Sequence, residues 1–103
     1  MELVSADFKD NKLTLYVRGR IDASKAQDVD TLISGFRAEY PTDDIMLDFD
    51  ELEYISSSGL RALLMLAKTA NAMHKGVTLS KVTPMVKKVI TVSHFDAFFK
   101  MTE

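Results

Sequence analysis

The stretch that decides the fold runs from Ile45 to Ala70, IMLDFDELEYISSSGLRALLMLAKTA. Ile45, Leu47 and Phe49 fall on one face of an extended segment, so Ile45 to Phe49 reads as a buried strand. Leu60, Leu63, Leu64, Ala67 and Ala70 then recur at helical spacing and give a helix one apolar side. Between them, Ile55-Ser56-Ser57-Ser58-Gly59-Leu60 places three hydroxyls where strand gives way to helix. Gly76 ends the helix, and Val77 to Val82 supplies a further strand. A strand, a helix and a second strand in succession demand a crossover and hence parallel neighbours.

Working outward, Leu13, Leu15 and Val17 alternate with Thr14, Tyr16 and Arg18, the period of a half-buried strand. A weaker strand at Leu3 to Phe8 precedes it, joined through Asp10-Asn11, a favourable turn pair, so the chain opens on an antiparallel hairpin. Ser24 and Gln27 have the spacing of a capping box. Val29, Leu32, Ile33, Phe36 and Tyr40 continue as a first helix that Pro41 stops. Thr83-Pro84 is a cap followed by a first-turn proline, opening a third helix with Val86, Val89 and Ile90 on its apolar face. The tail from Phe95 to Met101 fits a short strand and a helical turn equally. The expected architecture is an α/β domain over residues 1–103, with a mixed four- to five-stranded β-sheet and three or four α-helices.

Composition narrows the function. With 103 residues, of which 47% are apolar and 27% charged, the chain matches an ordinary globular domain. Thirteen Lys and Arg against fifteen Asp and Glu leave a net charge of −2, which argues against gripping nucleic acid through bulk charge. Cysteine is absent, which excludes disulfides, thiolate nucleophiles and Cys-ligated metal. No apolar run reaches the ~18 residues of a membrane span, and the acidic N-terminus lacks the apolar core of a secretory signal, so a cytoplasmic location is expected.

The three serines are the most informative local feature. On the residues alone, one serine caps the helix while the others face solvent, or the helix start accommodates a phosphate. Phosphorylation there would add about −1.5 to −2 charges and three acceptor oxygens. A hydrolase is not expected, since a nucleophilic serine needs a positioned base. His74 lies at the far end of the helix that Ser57 opens, and His94 lies beyond the third helix. Asp43-Asp44 and Asp48 to Glu53 lack the glycine-turned spacing of a calcium loop and read as solvated polar connections. Lys87-Lys88 reads as a solvated helix exterior, and Met85, just after a cap, as an exposed and adhesive side chain. No cofactor, metal or catalytic residue is expected.

Gly19-Arg20-Ile21-Asp22, Ile45-Met46-Leu47-Asp48-Phe49, Tyr54-Ile55-Ser56-Ser57-Ser58-Gly59-Leu60 and Val82-Thr83-Pro84-Met85-Val86 stand in one order along nearly the whole chain. In that arrangement the sequence resembles the STAS domains of bacterial anti-sigma factor antagonists. The resemblance implies that Ser57 is the phosphoacceptor and Ser58 a secondary one. It implies a partner-binding surface of Asp22, Ser24, Ser56, Ser57, Ser58, Gly59 and Leu60, to which Met85 is added. Ser56 departs from the pattern, because the family usually carries aspartate there. Family members also often continue into a further helix, whereas Glu103 follows soon after Phe98-Phe99.

Partner switching is the implied activity. The unphosphorylated protein binds an anti-sigma factor, commonly a serine kinase, and frees a sigma factor for transcription. Phosphorylation dissociates the complex, and a PP2C-type phosphatase restores it. Two other readings stand beside this one. Similarity to STAS proteins that sit on transporter complexes implies a constitutive subunit in which Ser57 is never modified. A small-ligand or nucleotide sensor would use the helix start at Ser57 to Gly59 as an anion site.

Overall fold

The computed structural model describes residues 3–42, 44–72, 77–94 and 99–101. Asp43, His74, Gly76 and the 95–98 part of the tail lie outside the described residues. The strands are β1 (Val4–Lys9), β2 (Lys12–Val17), β3 (Gly19–Ile21), β4 (Ile45–Asp48), β5 (Leu52–Ile55), β6 (Val77–Ser80) and β7 (Phe99–Met101). The helices are α1 (Ala26–Glu39), α2 (Ser57–Ala72) and α3 (Pro84–Val92), with a 3-10 turn over Ala23–Lys25 before α1.

Five strands form a mixed sheet in the order β1-β2-β4-β6-β7. β1 pairs antiparallel with β2, and the remaining neighbours are parallel. The hairpin follows from its turn. Lys9 pairs with Lys12, so Asp10 and Asn11 alone make the bend. Their φ angles of 54° and 63° are both left-handed, the conformation that matches strand twist in a two-residue loop. The tail resolves as a strand, since Phe99 to Met101 pair in parallel with β6.

Register aligns the apolar rows. Leu13, Ile45 and Val77 form one row across three strands, and Leu15, Leu47 and Leu79 form the next, all of them buried. Val29 and Ile33 of α1, Leu60, Leu63 and Leu66 of α2, and Val86 and Ile90 of α3 join the same core. On the reverse face, Thr14, Tyr16, Met46, Asp48, Thr78 and Ser80 are half-buried. This alternation is the one that the sequence pattern required.

Several boundaries differ from expectation, each for a local reason. The strand expected to reach Val82 stops at Ser80, because Lys81 turns left-handed at φ 58°. Phe49 falls outside β4 yet stays fully buried, its N–H donating to the Ser80 carbonyl at 3.0 Å. The capping box does not form. Ser24 sits inside the 3-10 turn, Lys25 holds the cap position of α1 without a side-chain capping bond, and the Gln27 amide donates to Thr31 Oγ1.

β3 and β5 are additions to the expected order, and together they make a separate two-stranded parallel ribbon. The third-helix cap is as expected, with Thr83 Oγ1 accepting the Val86 N–H at 3.3 Å and Pro84 in the first turn. Thr83→Ala should therefore cost about 1 kcal/mol of stability in urea unfolding, with Thr83→Ser close to the parent.

Candidate functional site

The β3–β5 ribbon places the site. Ile21 pairs with Ile55, and the Ser56 N–H donates to the Ile21 carbonyl at 2.8 Å. Asp22 and Ser56, each one residue past its strand, are therefore neighbours although far apart in the chain. From there one strand leads into the 3-10 turn and the other into α2, and these two elements pack on each other.

Asp22 organises the first branch. Its carboxylate accepts the Ser24 N–H at 3.0 Å and also the Ser24 hydroxyl. The Asp22 carbonyl accepts the Lys25 N–H at 3.1 Å, and the Lys25 ammonium reaches the Arg20 carbonyl at 3.3 Å. These bonds hold the Asp22 carboxyl below its ordinary value of 3.8, with the Ser24 hydroxyl as the main cause, desolvation opposing it, and the Ser24 amide and the Lys25 charge and amide adding to the lowering.

Ser56 organises the second branch. Its Oγ accepts the Gly59 N–H at 3.1 Å and its carbonyl accepts the Leu60 N–H at 2.9 Å, so Ser56 is the cap of α2. Ser57 and Ser58 are both exposed, and their hydroxyls take no hydrogen bond among the described residues. Arg61 is exposed one turn further on, followed by Met65 at 57% exposure. Methionines are expected to fill the core, and Met65 departs from that; the i, i+4 spacing from Ser57 through Arg61 is the signal that puts both on the outer face.

Two residues expected to touch a partner are corrected. Leu60 is 1% exposed and belongs to the core. Gly59 is buried under the ribbon, where an added Cβ would stand 2.8 Å from Ile21 Cγ2 and 2.9 Å from Ile55 Cγ1. Both residues seat the helix and present nothing outward. Met85 is 60% exposed on the first turn of α3, and α3 packs on β5, the strand that leads into Ser56.

No group of three His, Asp or Glu side chains converges as a metal site among the described residues. The acidic connection is instead occupied internally. Asp48 Oδ1 accepts the Asp50 N–H at 2.9 Å, Asp48 Oδ2 lies 3.8 Å from the Lys81 ammonium, and Glu51 pairs with Arg18 at 3.0 Å. Those two pairs line a cleft of 370 Å³ with Tyr16 and Ser5. His94 is exposed at a left-handed φ of 61° beyond α3. No helix among the described residues is long and apolar enough to cross a membrane.

Two measurements check this geometry. Gly59→Ala should lower stability by about 1–3 kcal/mol in denaturant unfolding, because the methyl meets two branched side chains of a filled core. Carboxyl NMR should find Asp22 titrating below 3.8, and Ser24→Ala should move it upward. Since the folded value is the depressed one, the stabilising contribution of Asp22 is present above its unfolded value and lost as pH falls through the folded one.

A family model described as "Mlab, STAS domain" matches residues 4–103. A STAS-domain containing protein of Pseudomonas aeruginosa is 30% identical, over 97% of this chain and 95% of its own length. BtrV of Bordetella bronchiseptica, whose name marks it as a candidate anti-sigma factor antagonist, is 26% identical over 93% of this chain and 82% of its own. Among solved structures, Bacillus SpoIIAA in its phosphorylated form superposes with a TM-score of 0.71 at 17% identity, covering 97% of this chain and 91% of that one. The three helices and the mixed sheet with its opening hairpin match that fold, and the chain belongs to the STAS-domain family.

Proposed function

We propose that this protein is an anti-sigma factor antagonist whose partner docks on the surface of Asp22, Ser24 and the exposed start of α2, and whose affinity is set by phosphorylation of Ser57. The observation that carries this reading is a division of labour between adjacent serines. Ser56 holds the helix start, while Ser57 is exposed and its hydroxyl takes no hydrogen bond among the described residues. A phosphate can therefore be added at Ser57 without breaking the cap, and the helix dipole favours negative charge at that end. An added dianion changes docking and leaves the fold in place.

The relatives support the same reading. BtrV carries the antagonist description, and SpoIIAA is an anti-sigma factor antagonist that exists in phosphorylated and unphosphorylated forms. In this scheme a kinase-type anti-sigma factor binds the unmodified protein, phosphorylates Ser57 and releases it, and a PP2C-type phosphatase resets the surface. The chain itself acts as substrate and ligand rather than as an enzyme, in the cytoplasm where those partners work. Ser58 is a secondary acceptor, and Met85 extends the contact along α3.

Ser56 favours a second reading. Where the family resemblance would place aspartate, this chain has a neutral serine that caps α2 without charge beside the acceptor. A constitutive subunit of a transporter complex would retain the cap and have no use for the acceptor.

Baits carrying Ser57→Ala and Ser57→Asp, exposed to lysate of the native host, separate the two. An anti-sigma factor held by the alanine bait and bound at least about tenfold more weakly by the aspartate bait is the expected result. The same anti-sigma factor held equally by both would remove phosphorylation as the control. A transporter ATPase on both would establish the subunit.

A further inference from the structure

We infer that Arg61 is the built-in counter-ion for a phosphate on Ser57, a role that rests on the phosphoswitch reading and adds the residue that receives the new charge. Ser57 and Arg61 stand four positions apart on α2, the spacing that brings two side chains onto one face at about 5–6 Å between Cβ atoms. Both are exposed. Arg61 takes no ion pair or hydrogen bond among the described residues, whereas Arg18 pairs with Glu51, Arg20 lies over the Tyr54 ring and the Lys25 ammonium is held by a carbonyl. Ser58, three positions away, lies within reach of the same guanidinium.

This pair does not depend on free amides at the helix end. Ser56 already takes the Gly59 N–H with its hydroxyl and the Leu60 N–H with its carbonyl. The clamp is a side-chain pair on the helix surface, with a planar guanidinium that matches phosphate oxygens two at a time. The order of charges also suits it, because the helix dipole favours the anion at the N-terminus and an acid-before-base order is the better one for an i, i+4 pair.

One consequence is a double change at the docking ridge. Unmodified, the first turns of α2 present Ser57, Ser58, Arg61 and Met65, with one uncommitted cation and no anion. Phosphorylation adds about two negative charges and at the same time engages that cation. A partner carboxylate that reads Arg61 loses its counterpart in the same event that places a dianion before it. Asp22 and Lys25, the charged groups on the turn packed against α2, are the same in both states.

The test installs phosphoserine at position 57 during translation, so that no kinase is needed. Phosphorus NMR then reads the second ionisation of the phosphate in the parent, in Arg61→Ala and in Arg61→Lys. The expected result is a value a few tenths of a pH unit lower in the parent than in Arg61→Ala, with the lysine variant between them. That difference should shrink in about 1 M salt, as an exposed pair requires. Equal values in all three proteins would overturn the pair. Failure here is distinct from failure of the phosphoswitch, since mass spectrometry of Ser57 from the native host tests the latter without reference to Arg61.

Discussion

The approach of α2 to the β3–β5 ribbon is the contact on which the rest depends. At Gly59 there is no room for a methyl group between the helix and the side chains of Ile21 and Ile55. That closeness lets the Ser56 N–H reach the Ile21 carbonyl and lets the helix begin immediately after the ribbon ends. Widening the gap by one carbon would lift the first turn of α2 from the strands that orient it. Ser57 and Ser58 would then no longer hold a fixed relation to Asp22. The position of the candidate site is thus set by a residue that contributes nothing to its surface.

Hydroxyl chemistry at the helix start is divided with little overlap. Ser56 spends both its side chain and its carbonyl on the backbone of the next turn. Among the described residues Ser57 and Ser58 spend neither hydroxyl, and both side chains are exposed. Serine is among the preferred helix caps, so position 56 holds the start of α2 without placing a charge beside the neighbouring hydroxyl.

Much of this was legible in the sequence because the strongest signals are periodic. The alternation at Leu13, Leu15 and Val17, the stripe at Leu60, Leu63 and Leu64, and the Thr83-Pro84 start all report burial or capping within a few residues. The ribbon was not legible, since β3 is short, contains the left-handed Gly19 and pairs only with a segment far along the chain. The cap before α1 departs from the sequence pattern for a local reason. Ser24 and Gln27 have the right spacing, but Asp22 accepts from Ser24 first and turns that stretch into a 3-10 turn. At the site, the helical stripe places Leu60 inward while the serine motif implies a surface, and the tight seat of the helix on Ile21 and Ile55 decides for burial of both Gly59 and Leu60.

The pairing of Ile21 with Ile55 also governs when the surface comes into being. Asp22 and Ser56 belong to separate parts of the chain, with all of α1 and β4 between them. Bringing them together is a long-range closure, which is entropically slow and complete only once the intervening helix and strand have packed. A chain still emerging from the ribosome, or one unfolded by heat, carries every serine of the site but not the surface. The surface that needs both branches therefore exists only on finished molecules, because neither branch alone sets Asp22 beside the start of α2.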